Sequence, residues 1–285
     1  MTRTSPDSSA AQHAAWALCH ELGITKPEQI RLEDIAMLRG VFVKETDLSG
    51  AEARLICRGN RGIVRVREDL PEIGRKRFAI AHEIGHWEMH RSTAALSLCT
   101  MEDIVGYSGS PPEIEANVFA GSLLMPTKMM ADRCRESEPD LDLIRLLSQE
   151  FTTTMTATAV RFVEISRKMC ITVFSENERV KWWRRSDSAE FWIESGYPID
   201  VRSNATIKSG QTDKERVEPD AWFPNLPPWK KIDLHEQSIA LGHYGTVLTL
   251  LWIVDVSGIE EDDEDSWSRT VGSTIPSWKR RREEE

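Results

Sequence analysis

The sequence predicts an α+β fold: a helical part holding a small sheet, then a smaller, Trp-rich and mainly β part, and an acidic tail. Apolar residues recur at helical spacing in six segments before residue 170, interrupted by one strand and one hairpin-like stretch. Eight of the ten tryptophans follow that point, among short β-type runs separated by Pro- and Gly-bearing loops, and this places a boundary there. Hydrophobic residues at 40 % and charged residues at 29 % are ordinary for a globular chain, and 285 residues suffice for a sizeable core.

Ala11, Ala14, Ala15, Leu18, Cys19 and Leu22 follow helical spacing after the candidate caps Ser8 and Ser9. A shorter helix is expected from about Glu28 to Leu38, stopped by Gly40. Val41-Phe42-Val43 reads as a strand. Arg54 to Arg67 reads as a hairpin whose apolar runs, Leu55-Ile56 and Ile63-Val64, join through Gly59-Asn60-Arg61-Gly62. Helices follow over about Arg75–His90 and Pro112–Met125, the second stopped by Pro126, then over Leu141–Phe151 and Ala157–Met169 around a Thr-rich turn. Beyond them, strands are expected at Ile171–Phe174, Val180–Trp183 and Thr246–Val256. The division is a flexible N-terminus at 1–12, a domain at 13–170, a Trp-rich domain at 171–257 and a disordered tail at 258–285, which holds the acidic run Glu260 to Asp265.

A net charge of −10, from 36 basic and 46 acidic residues, argues against a chain that chiefly grips nucleic acid or an anionic membrane. Part of that charge sits in the tail, so the folded body is less acidic than the total. The five cysteines are scattered without a CxxC pair, so buried reduced thiols are expected rather than a disulfide framework or a cysteine-zinc ribbon. Residues 1–9 are polar, with no apolar secretory stretch, and the longest apolar run, Val247 to Val256, is too short to cross a bilayer. These readings point to a cytoplasmic chain with no membrane partner.

The sharpest chemical signal is His82-Glu83-Ile84-Gly85-His86. On a helix, His82 and His86 fall about 40° apart, so both imidazoles reach one ion. Zinc accepts neutral histidine readily and keeps an open position when a protein supplies three ligands. Glu83 lies on the adjoining flank, placed to take a proton from an attacking water rather than to bind the ion. By chance such a run arises in roughly two of every hundred chains with this histidine content, so its surroundings must decide. Ile80, Ile84 and Trp87 form one apolar arc, and Phe78 and Met89 add another side, so the helix is expected to be buried. Two histidines and a glutamate in a buried helix need a partner, and a metal supplies one. Gly85 between them suits a close backbone approach.

A third ligand must come from elsewhere. His86 is followed by Trp87-Glu88-Met89-His90, which breaks the metzincin pattern, and His90 sits better for a supporting contact than for direct ligation. On the next helix Glu113, Asn117, Ala120 and Leu124 share one face, and Ala116 with Ala120 permits close approach. Glu115 faces the other way, towards an expected wetter side. The face argument favours Glu113 over Glu115, although Ser110-Pro111-Pro112-Glu113 also fits a capping box.

The segment Arg75-Lys76-Arg77-Phe78-Ala79-Ile80-Ala81-His82-Glu83-Ile84-Gly85-His86, together with Glu113-Ile114-Glu115-Ala116-Asn117-Val118-Phe119-Ala120 and the Leu124-Met125-Pro126 that follows, resembles the ImmA/IrrE-type zinc metallopeptidases. The resemblance spans about Ala14 to Met169. It implies a compact zincin-like α+β domain with a closing helical pair, one zinc ion per chain held by His82, His86 and Glu113, and Glu83 as general base. It also implies an intracellular endopeptidase that cuts a helix-turn-helix repressor to relieve repression, as in stress responses. The Trp-rich segment matches no C-terminal module of that family.

Leu143 to Met169 also reads as a helix-turn-helix bearing Arg145, Arg161, Arg167 and Lys168, but without a dense basic stripe, so packing is favoured over direct DNA binding. Trp182-Trp183 before Arg184-Arg185 is an aromatic-basic cluster, and His235 and His243 read as structural. Tyr107 or His90 could act as a second electrophile. Zincin architecture suggests that the strand near Ile63 to Arg67 takes an extended substrate by edge addition. Two rivals stand beside the peptidase: a regulatory protein that keeps the zinc fold and binds a repressor or DNA without cutting, and a zinc hydrolase acting on a non-peptide amide.

Overall fold

The first helix starts one turn earlier than its apolar spacing suggests. Asp7, not Ser8 or Ser9, caps it: the Asp7 carboxylate accepts from the amide of Ala10 at 2.9 Å, and helix α1 runs Ser8–Glu21. Residues 8–12 are therefore helical. Ala11, Ala15, Leu18 and Cys19 form its buried face. A 3-10 turn at Pro27–Gln29 leads into α2 (Leu32–Leu38), which ends at Gly40 with φ +79°. The computed structural model describes residues 5–91, 110–227, 229–242 and 245–257. Cys99, Tyr107, His243, Trp267, Trp278 and the acidic run lie outside them.

The first sheet holds β1 (Val41–Thr46), β2 (Ala53–Arg58) and β3 (Arg61–Arg67) in the order β1-β3-β2. β2 and β3 form the expected hairpin, closed at Arg58 and Arg61 around Gly59 with φ +60°. β1 pairs with β3 in parallel, so β3 is central and hydrogen-bonded on both sides. The edge position read into Ile63 to Arg67 is thereby corrected: β3 has no free edge to offer an extended substrate, whereas β2 pairs only with β3 among the described residues.

Helix α3 (Ile73–His90) lies against the inner face of this sheet. Its contacts are close at three glycines. A Cβ on Gly62 of β3 would stand 3.0 Å from the Trp87 ring, and one on Gly85 would stand 3.0 Å from the Phe119 ring and 3.3 Å from Ala116 Cα. A Cβ on Gly74 would sit 2.6 Å from the Thr153 carbonyl carbon, which is backbone and cannot turn aside. Gly74→Ala is therefore expected to destabilise the fold by about 1–3 kcal/mol, seen as a lowered urea midpoint. An unchanged midpoint would show that this contact gives way without cost.

Helix α4 (Pro111–Leu124) packs between α3 and α1, followed by α5 (Thr127–Cys134), α6 (Leu141–Phe151) and α7 (Met155–Ile165). Asp140 caps α6 at Asp142 N, Thr152 in the left-handed region ends it, and Thr154 caps α7 at Ala157 N. Glu164 is the one exposed residue of α7. Arg161 is buried and donates to Met125 O at 3.1 Å, Thr127 Oγ1 at 2.7 Å and Glu164 at 3.0 Å, so α7 presents no basic recognition face.

The β-rich part is an antiparallel sheet in the order β5-β4-β8-β7-β6, from β4 (Cys170–Glu176), β5 (Arg179–Arg185), β6 (Glu215–Arg216), β7 (Lys231–Ala240) and β8 (Thr246–Ser257). Strand β8 is buried on both faces. Leu248, Leu250 and Trp252 join the helical core, while Val247, Leu251 and Ile253 join a second core with Phe191, Ile193, Trp222 and Phe223. Burial on both sides explains why β8 reads as a continuous apolar run. Cys19, Cys134 and Cys170 are buried free thiols, pushed up to about 11 chiefly by desolvation. Among the described residues no helix is long and apolar enough to cross a membrane.

Candidate metal centre

One face of α3 and one face of α4 meet at Gly85, and the polar side chains on those faces converge just beside the contact. His82 Nε2 and His86 Nε2 lie 3.0 Å apart, and Glu113 Oε2 lies 3.1 Å from the first and 3.3 Å from the second. His82 and His86 are buried, and Glu113 keeps a partly exposed side chain at the mouth. Glu83, next to His82 on α3, is fully buried. Its carboxylate reaches Cys57 of β2 electrostatically: burial first, then Glu83, pushes that thiol up.

The outer partners fix how the two imidazoles are protonated. Asn117 Oδ1 can only accept, so His82 Nδ1 donates to it at 2.9 Å. The Glu115 carboxylate accepts from His90 Nε2 at 2.7 Å. That leaves His90 Nδ1 as the acceptor for His86 Nδ1 at 3.2 Å. Burial, above all, pushes the His90 imidazolium down, which keeps the ring neutral against the opposing pull of Glu115. Both Nε2 lone pairs then point at each other and at a carboxylate oxygen. Three electron-rich atoms in mutual contact require a proton or a cation among them. Burial pushes the Glu113 carboxyl up, but an imidazole that carries a proton on Nε2 outweighs it and holds the carboxyl well below the usual carboxylate range.

The donor set fits a metal ion. His82, His86 and Glu113 each offer one ligand atom, all within 4.8 Å of one another. A tetrahedral zinc site with bonds of about 2.0–2.1 Å separates neighbouring ligand atoms by about 3.3 Å, close to the observed distances.

Of the residues the sequence singles out, the structure brings His82, His86, Glu83, Glu113 and His90 together. Glu115 is not on a wetter side: it is buried, bound to His90, and its Oε1 accepts from Asp7 N at 2.7 Å. The covering element is α1, which packs along α4. Asn117 was legible only as a residue of the Glu113 face, one turn on; its bond to His82 was not. His235 stands on β7, stacked on Trp252 at 5.5 Å.

Residues 36–163 match the family model of the IrrE N-terminal-like domain. Over that stretch, 128 of the 285 residues, the chain is similar to the IrrE N-terminal-like family. This is a metallopeptidase family, and the matched stretch contains β1 to β3, α3, α4 and every residue of the candidate centre. A transcriptional regulator from Mycobacterium tuberculosis has a similar fold, with a TM-score of 0.57 and 17 % identity over 86 % of this chain and 76 % of that one. No match was found among the curated proteins.

Proposed function

We propose that this IrrE-like chain is a zinc-dependent endopeptidase of zincin-like architecture, and that its substrate is a helix-turn-helix repressor whose cleavage relieves repression. The observation that carries the reading is the meeting of His82, His86 and Glu113 around one point beside the buried Glu83. The three side chains would hold the zinc ion, which when bound supplies Lewis acidity at the scissile carbonyl and a more acidic water. Glu83 takes the proton from the attacking water and returns it to the leaving nitrogen. Asn117 and His90 hold the two imidazoles in the tautomer that turns Nε2 inward. Burial of α3 keeps bulk water from Glu83. The family resemblance and the regulator of similar fold support a role in transcriptional control. An extended substrate segment would add to the outer edge of β2, whose Cys57 neighbours Glu83.

The test is co-incubation of the full chain, zinc and the helix-turn-helix regulator encoded nearest to it, with a chelator control and mass spectrometry. A discrete zinc-dependent cut is expected. An intact regulator bound in a stable complex would transfer the case to the non-cleaving binding protein.

The supporting bonds predict a graded effect. Glu115→Ala is expected to weaken zinc binding about 10–100-fold, and Glu115→Gln less, because an amide oxygen can still accept from His90. Competition against a chromophoric chelator measures both; equal affinities for all three chains would show that the Glu115–His90–His86 chain does not orient the site.

A further inference from the structure

The outer face of the first sheet has a composition unlike the rest of this acidic chain. In β3, Gly62, Val64 and Val66 turn inward, so Arg61, Ile63, Arg65 and Arg67 leave through the opposite face. The strand register carries the pattern across the sheet. Phe42 and Ile56 stand beside Ile63, Lys44 and Arg54 beside Arg65, and Arg58 beside Arg61. The result is an apolar row, Phe42–Ile63–Ile56, with a row of cations on either side. Phe42 is 56 % and Ile63 44 % exposed, and Lys44, Arg58 and Arg61 are exposed as well. Every charged residue that the three strands place on this face is basic. Glu45, their one acidic residue, is on the other side and pairs with Lys76 of α3 at 2.7 Å.

We propose that this face docks an acidic, amphipathic helix of a partner protein. An apolar centre rimmed by charge is the anatomy of a protein interface, and five arginines to one lysine matches the residue preference of such interfaces. The apolar row spans three strands, about 10 Å, the length of two helical turns. A helix laid across the strands sets its apolar stripe on that row and its flanking carboxylates over the two cationic rows, each about 7 Å away along the strands. Nucleic acid fits less well: its phosphates call for cations at the centre, where two of the three side chains are aliphatic and offer no stacking surface. The face is on the side of the sheet away from α3, so docking leaves the metal centre accessible, and the inference stands whether or not the chain is a peptidase.

The experiment uses the full chain and fluorescence anisotropy. The probe is a labelled helical peptide of about four turns with a leucine stripe flanked by glutamates. Its glutamine counterpart and duplex and single-stranded DNA oligonucleotides complete the set. Salt-sensitive binding of the glutamate peptide is expected, weakened about tenfold or more by the glutamine exchange, by Arg54→Glu with Arg65→Glu, and by Ile63→Ser. Lys44→Glu and Arg61→Glu change exposed side chains only and are expected to weaken it in the same direction with the melting temperature unchanged. Equal binding by all variants overturns the proposal. DNA bound more tightly than the peptide, and lost in the same variants, overturns it in favour of nucleic acid. Peptide binding that appears only after Glu260 to Asp265 are neutralised overturns it in favour of the chain's own tail.

Discussion

A chain carrying Glu83→Gln is expected to take up one zinc ion and to cleave its substrate about 10²–10⁴-fold more slowly than the unaltered chain. The amide occupies the volume of the carboxylate, so the fully buried position beside His82 stays filled and the three donor atoms keep their mutual distances. What is lost is the capacity to accept a proton from the attacking water. Metal analysis of the purified chain gives the zinc content, and single-turnover cleavage followed by mass spectrometry gives the rate. Cleavage at the full rate would remove Glu83 from the general-base role. Equal relief of repression in cells by the altered and unaltered chains would favour the regulatory reading, in which the zinc fold binds and does not cut.

Loss of a donor has a different signature. His86→Ala leaves His82 and Glu113 as the remaining pair, and zinc affinity is expected to fall by at least on the order of a thousandfold. With zinc held by the folded chain as proposed and not by the unfolded one, the unaltered chain should melt at a higher temperature with zinc present, by an amount corresponding to about 2.7 kcal/mol at a hundredfold excess over the dissociation constant. His86→Ala should lose that rise, as should His82→Ala and Glu113→Ala, while Glu83→Gln should keep it. Cleavage should disappear with the rise, and a chelator should reproduce both losses in the unaltered chain. A full zinc-dependent rise in His86→Ala would place the ion elsewhere.

The face shared by Glu113 and Asn117 was legible because helical periodicity fixes which side chains project together. Glu115 was misplaced for a related reason: the helical wheel gives an angle but not the neighbour. That neighbour is α1, more than ninety positions earlier in the chain, whose Asp7 amide reaches back to the Glu115 carboxylate. Strand order is likewise unwritten in a local pattern. The hairpin of β2 and β3 was readable from its turn, but the parallel return of β1 that encloses β3 was not. Strand β7 went unread because three consecutive polar residues, Glu236, Gln237 and Ser238, are buried in it. Glu236 accepts from Trp222 Nε1 at 2.7 Å and Ser203 Oγ at 3.0 Å, Gln237 accepts from Leu141 N at 2.9 Å, and Ser238 bonds Thr249 at 2.8 Å. Internal bonds of this kind make polar side chains behave as core, and the partners that satisfy them are distant in sequence. The eight-residue α5 offered too few turns to establish a period.

Strand β8 makes the two cores inseparable. Leu248, Leu250 and Trp252 wall the helical core, and the intervening Val247, Leu251 and Ile253 wall the other. Cutting the chain after α7 would strip apolar cover from the helices that carry His82, His86 and Glu113, so the C-terminal part is no detachable accessory. Melting should run as one cooperative transition. A change in the Trp-rich part that shifts β8 is also one strand's thickness from the helical core that holds α3 and α4.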